Sequence, residues 1–166
     1  MQFDSSVLDS PSTTARSSHA ERREHSLVPT LLSISKTTRA LMGLKLAEID
    51  LHQGQDELLA VLSEDDAMRV SELANRLSVR ASTISKMMDR LAEKGLVERR
   101  AHPRDGRITM VLLTPAGREM QKRVAELWLV VDAEISAKLP QTQAQPVFEQ
   151  LNIIDDVLRT RLMRLR

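Results

Sequence analysis

The stretch from Val70 to Gly117 reads VSELANRLSVRASTISKMMDRLAEKGLVERRAHPRDGRITMVLLTPAG, and its punctuation decides the fold class. Leu73, Ala74 and Leu77 sit on one face of a short helix predicted over residues 72–77, with the Ser71 hydroxyl as its N-cap. Ser78-Val79 makes the turn. Ile84, Met87, Met88 and Leu91 then recur at helical steps, which predicts a second helix over 80–94. Gly95 supplies the left-handed residue that ends it, and Leu96 packs back on the core. Met87 and Met88 at this spacing read as core filler rather than a soft metal pair. Residues 96–100 and 108–113 read as strands. Between them Pro103, Asp105 and Gly106 provide a turn carrying basic side chains. Thr114-Pro115 opens another helix, with a hydroxyl cap and proline at the first helical position. The order is helix, turn, helix, then a two-stranded wing.

Charge follows the same boundaries. Residues 67–107 hold ten Lys/Arg against five Asp/Glu, a net of +5, while the whole chain is only +1. The rest of the chain therefore carries −4, and positive charge gathers where a phosphate backbone would lie. A helix entering the major groove buries one stripe and exposes polar side chains from its N-terminal end. On the helix over 80–94, Ser82, Thr83 and Lys86 are placed for base edges or nearby phosphates. Arg80 and Arg90 are suited to phosphates or guanine edges. On the preceding helix, Ser71, Asn75 and Arg76 can anchor the backbone. Arg104 and Arg107 at the wing tip can enter a narrow minor groove. Asp105 would be repelled by phosphate, so it is expected to pair with a neighbouring arginine and direct it.

Around this unit the chain is helical. Leu27, Leu31, Ile34, Thr38 and Leu41 form a seam at steps of four and three, which predicts a helix over 26–48. Leu51, Gln55, Leu58, Leu59 and Leu62 mark a shorter one, weakened near its start by Gly54. Glu64-Asp65-Asp66 reads as a solvated loop. Met120, Val124, Leu127, Val131, Ile135 and Leu139 give a long helix closed by Pro140. A last helix is predicted from about Pro146, with Val147, Leu151, Ile154, Leu158, Leu162 and Leu165 in a near-heptad seam. Residues 1–25 are Ser/Thr-rich and aperiodic and read as a mobile tail, with His19 and His25 solvated. The expected fold is therefore mainly α with a small β-hairpin wing.

Composition removes several function classes. Aromatic residues make up 2% of the chain, too few for the stacking platforms of single-strand binders. There is no cysteine, so disulfides and thiolate metal sites are out. No apolar run approaches the ~20 residues needed to span a bilayer. A signal-peptide core is not visible either, so a cytoplasmic protein is expected. No phosphate-cradling glycine loop, nucleophile-base set or metal-ligand spacing is present, so neither an enzyme nor a cofactor is expected.

The segment resembles the MarR (multiple antibiotic resistance regulator) family of winged-helix transcription factors. The resemblance rests on Leu51, Gln55 and Leu58-Leu59, then residues 70–77, Ser82-Thr83-Ile84 and Asp89-Arg90-Leu91. It continues through Lys94-Gly95-Leu96-Val97, Arg99, Asp105-Gly106-Arg107, Val111, Leu113-Thr114 and Gly117. It implies one domain over 26–166, in which 51–113 form the reading lobe and 26–50 with 114–166 join two chains as a homodimer. Leu27, Leu31, Ile34, Leu151, Ile154, Leu158 and Leu162 would then lie at the dimer interface. It implies that Arg107 enters the minor groove with Asp105 positioning it. It further implies a repressor of a pseudo-palindromic operator in double-stranded DNA, released by a small aromatic or amphipathic effector. Met42, Leu46, Leu59 and Trp128 would line that effector's cleft. His52 stands where relatives often have a Ser or Thr cap, which would loosen the entry to that helix. His102 stands where many have Asp, and its titration would raise DNA affinity at lower pH. Two other readings stay open: an architectural DNA-binding protein without effector, and a winged-helix module for an acidic protein partner.

Overall fold

The computed structural model describes residues 26–63 and 66–165. The expected tail with His19 and His25, and Glu64-Asp65 of the acidic run, lie outside the described residues. Among the described residues, six helices and three strands follow in the order α1 (Leu27–Ala47), α2 (Gln55–Val61), β1 (Met68–Arg69), α3 (Val70–Arg76), α4 (Ala81–Glu93), β2 (Val97–His102), β3 (Asp105–Leu113), α5 (Pro115–Ser136) and α6 (Gln141–Arg164). The sheet is antiparallel in the order β1-β3-β2, with Met68 opposite Val111 and Val97 opposite Leu113. No helix among the described residues is long and apolar enough to cross a membrane.

One core draws on every element but α6. Leu58 and Leu59 of α2, Leu73 of α3, Ile84, Met88 and Leu91 of α4, Val111 of β3 and Val124 of α5 are all buried together with Leu46 of α1. The stripes read from the sequence are these faces. Val131 is also buried on α5, but Ile135 of the same seam is exposed.

Several boundaries differ from the sequence expectation. Strand β1 is new: at two residues it is too short to show alternation, and it exists because Met68 and Arg69 pair with β3. Pairing brings the chain straight into α3, so the cap position is Arg69, no side chain caps the helix, and Ser71 lies exposed inside its first turn. The wing strands run closer together than expected and leave only Pro103-Arg104 as the turn, with an irregularity in register between Ala101 and His102. Helix α6 begins at Gln141, five residues before Pro146, which stands inside it. Proline removes one amide from the ladder but already has helical φ, so a long helix carries it.

Gly54 is not the weak point that its place in the sequence suggests. It is the N-cap of α2 at φ 85°, a left-handed conformation that favours glycine. A Cβ there would come within 2.8 Å of the Met87 methyl on α4. His52 does not cap α2 either. The Gln55 Oε1 accepts the His52 N–H at 2.8 Å and the Asp56 Oδ1 accepts the Gly54 N–H at 3.0 Å. The entry to α2 is thus held by two side chains of its own first turn, not loosened. At the other end of α2, the Gln121 amide of α5 donates to the carbonyls of Leu59 and Leu62 at 2.6 and 2.8 Å.

The end of α4 is fixed by a Schellman turn. The Leu96 N–H reaches the Leu91 carbonyl and the Gly95 N–H reaches Ala92, both at 2.9 Å, with Gly95 at φ 67°. Lys94 folds over the α1–α2 connection, its Nζ 2.8 Å from an Asp50 carboxylate oxygen. Its hydrogen bond and its charge hold the Asp50 carboxyl below the usual carboxylate range. The Thr114 Oγ1 then joins wing to α5, donating to the Gly95 carbonyl at 2.6 Å and accepting the Gly117 N–H at 3.0 Å. A Cβ on Gly117 would lie 1.9 Å from the Leu96 carbonyl oxygen, whereas one on Gly106 would meet nothing within 4 Å. Gly117→Ala is therefore expected to destabilise the fold by about 2–3 kcal/mol. Gly106→Ala should leave the urea midpoint unchanged; equal midpoints for both variants would refute the close approach.

Candidate nucleic-acid interface

Helix α4 is amphipathic in the way the sequence indicates. Ile84, Met88 and Leu91 are buried, while Ser82, Thr83, Ser85, Lys86, Asp89 and Arg90 are exposed. Its N-cap Arg80 carries no side-chain cap bond, but its carbonyl accepts from the Thr83 and Ile84 amides at 2.9 and 3.2 Å. The Ser85 hydroxyl donates back to the Ala81 carbonyl at 3.0 Å, so its proton is committed to the helix.

Two concavities flank the outer face of α4. The first, about 280 Å³, lies between α4 and the segment that leads into α2, and His52, Gln55, Ser82, Thr83, Lys86 and Arg90 are among the residues that line it. The second, about 360 Å³, opens towards the wing, where Ser71 of α3, Ser85 of α4, Arg99 of β2 and Arg107 of β3 converge. Asn75 and Arg76 are exposed on α3 but line neither concavity. Arg104 sits in the wing turn and lines neither.

The cations of this surface fall into two sets. Arg76 pairs with Glu72 at 2.8 Å, Arg99 pairs with Asp89 at 2.7 Å, and Arg100 pairs with Glu98. Arg80, Lys86, Arg90, Arg104 and Arg107 have no ion pair among the described residues. The unpaired set lies on α4 and at the wing tip, so its field is directed outwards. Arg99 has a further role that the sequence reading did not assign. Its guanidinium also donates to the Ser85 carbonyl at 3.0 Å and so ties β2 to the flank of α4.

The wing tip is held by its own side chains. The Asp105 Oδ1 accepts the Arg107 backbone N–H at 3.0 Å. The expected pairing of Asp105 with an arginine side chain is corrected: its carboxylate grips the chain at Arg107, and no ion pair of Asp105 occurs among the described residues. The His102 Nδ1 accepts the Arg104 N–H at 3.2 Å.

A separate cleft lies between α1, α2 and α5. Met42 and Leu46 line a cavity of about 510 Å³ that extends to Met87 of α4. Met42 also joins Trp128 in an adjoining one of about 280 Å³. Leu59 lines neither and is fully buried in the core, so its assignment to the cleft is corrected. What the sequence did not disclose is the polar wall. Asp56 is only 6% exposed, and its Oδ2 accepts the Trp128 indole N–H at 3.2 Å. An acid in the first turn of a helix was the available signal. The apolar seams at the chain ends remain open: Leu27, Ile34, Leu151, Leu158 and Leu162 are exposed, and Leu31 and Ile154 are half-buried.

Two short helices joined by a tight turn, the second amphipathic and backed by a three-stranded wing, define a winged helix-turn-helix protein. The model of the MarR family matches residues 51–109. The HTH-type transcriptional repressor IacR of Pseudomonas putida is 30% identical over 115 residues, 69% of each chain. Among solved structures, the transcriptional regulator BldR of Sulfolobus solfataricus superposes with TM-score 0.69 at 27% identity, over 78% of this chain and 92% of that one. An E. coli MarR mutant complexed with operator DNA gives TM-score 0.69 at 24% identity over 80% of this chain and 96% of its own, a likeness of fold. The chain belongs to the MarR family. It is a DNA-binding transcriptional regulator and not an enzyme.

Proposed function

We propose that the protein is a homodimeric, sequence-specific repressor whose hold on double-stranded DNA is released by a small molecule. The observation that carries the DNA-reading geometry is the unpaired set of cations shared by α4 and the wing tip. In this reading Ser82, Thr83 and Lys86 meet base edges or adjoining phosphates in the major groove, and Arg80 and Arg90 meet phosphates or guanine edges. Ser71, Asn75 and Arg76 anchor the backbone. Arg104 and Arg107 reach the minor groove, where Asp105 fixes the backbone from which Arg107 extends. Residues 51–113 form the reading lobe. Arg107→Ala should weaken binding by about tenfold and lower the slope of log affinity against log salt by about one. Anisotropy with a labelled duplex at several salt concentrations measures both; an unchanged slope would remove Arg107 from the contact.

The second copy follows from what the ends of the chain leave uncovered. None of the described side chains of α6 is buried, and its seam of Leu151, Ile154, Leu158 and Leu162 stays open beside the exposed Leu27 and Ile34 of α1. In this reading 26–50 and 114–166 interlock with a second chain, as expected for the family, and present two copies of α4 to half-sites about 10 base pairs apart. Leu158→Asp would bury an unpaired carboxylate in that interface. Light scattering should then show a monomer where the parent chain is a dimer, and a dimer of unchanged stability would refute the placement.

Release is assigned to the cleft lined by Met42, Leu46 and Trp128. A ligand there shifts the population of reading-lobe positions only as far as it prefers one of them. Trp128 is the sole tryptophan, so its emission reports directly on the cleft. An amphipathic aromatic compound that weakens DNA binding should change Trp128 emission over the same concentrations. Release with no change in emission would place the effector elsewhere.

A further inference from the structure

Gln55 presents a problem that neither its place in the α2 seam nor the proposed contacts resolve. It is 1% exposed, and its Nε2 is a buried donor with no partner. The amide cannot simply be turned round, because its Oε1 accepts the His52 N–H at 2.8 Å. Buried polar groups in folded proteins are nearly always satisfied, so an orphaned amide at the wall of a concavity points to a missing acceptor. The concavity that Gln55 lines is the one between the loop before α2 and the outer face of α4. Its other polar walls are the Lys86 ammonium, the Arg90 guanidinium, the His52 ring, the Gln53 side chain, whose amide donates to the Arg39 carbonyl, and the hydroxyls of Ser82 and Thr83. No carboxylate lines it. The nearest acid in sequence, Asp56, is committed to Gly54 and Trp128. Neither Lys86 nor Arg90 has an ion pair among the described residues.

We propose that this concavity is an oxyanion seat in which the Gln55 amide joins Lys86 and Arg90 in holding a phosphate of the duplex backbone. The donor set suits a group with several acceptor oxygens and full negative charge. The seat makes the loop before α2 part of the DNA-reading surface. It rests on the reading that α4 lies against DNA. The sequence concealed it because a glutamine at a seam position reads as part of a core face.

The test uses the full chain, a labelled duplex and inorganic phosphate. Gln55→Glu keeps the oxygen that holds His52 and replaces the donor with a negatively charged oxygen. His52→Glu places the same repulsion at an exposed position, away from the core. Thermal unfolding shows that each variant is folded. Both should weaken duplex binding by about tenfold or more. Millimolar phosphate should also shift the Gln55 side-chain amide signals in the NMR spectrum of the parent. If the parent binds duplex, both variants bind within twofold of it and phosphate leaves those signals unmoved, the seat is overturned while DNA recognition by α4 stands. If phosphate moves the signals but the variants keep their duplex affinity, the DNA backbone is overturned as occupant and the seat takes a free anion. A parent that binds no duplex fails the DNA reading itself, and the phosphate titration alone then decides for or against the seat.

Discussion

The arrangement depends on one close approach, that of Gly117 to the Leu96 carbonyl. No side chain fits between them, since a Cβ would stand 1.9 Å from that oxygen. Around this point the Thr114 N–H bonds the Leu96 carbonyl at 3.1 Å, while the Thr114 hydroxyl links Gly95 to Gly117. Three elements leave this junction: α4 behind the Schellman turn, the wing, and α5. Their mutual placement is set by these backbone contacts together with the Thr114 hydroxyl and the Arg99 guanidinium. These contacts join α4, the wing and the start of α5 into one head.

Electrostatics and packing divide the work on that head. Acidic residues are placed where they fix positions: Asp89 on Arg99, Asp105 on the Arg107 amide, Asp56 on Gly54 and Trp128. The cations left over face outwards. Exposed pairs such as Arg76–Glu72 contribute little to stability. The unpaired set has a different consequence, because each contact with a phosphate releases counterions and makes binding sensitive to salt. The segment over 52–56, the end of the loop and the first turn of α2, lies between the two surfaces. It borders the outer face of α4 through His52 and Gln55 and the Met42–Trp128 cleft through Asp56, and at Gly54 any Cβ would run into Met87 of α4. A ligand that competes for the Trp128–Asp56 hydrogen bond would act on the same short segment that supports α4.

Most of the fold was legible because long stripes such as Ile84, Met88 and Leu91 have a period that only one element satisfies. Local punctuation was equally clear at Gly95 and Thr114-Pro115, where the cap chemistry lies within a few residues. What stayed hidden depends on partners distant in sequence. Two residues of β1 carry no pattern without β3. Pro146 masked the true start of α6, because proline is a strong breaker signal whose cost a long helix can absorb. Gly54 read as a weakness because its positive φ and its contact with Met87 exist only in three dimensions. At the site, residue types on α4 and in the wing were visible, but the split between paired and unpaired arginines was not. The sequence likewise gave no sign that Leu59 belongs to the core while Asp56 lines the cleft.

The most direct test places a probe on α4 itself. The chain has no cysteine, so Ala81→Cys puts a single thiol at the exposed first turn of α4. An iron chelate attached there cleaves the DNA strands nearest to it. If two copies of α4 occupy successive major grooves, cleavage appears at two clusters about one helical turn apart, ~10 base pairs. Cleavage scattered evenly along the duplex, or none at salt concentrations where the protein binds, would contradict the account.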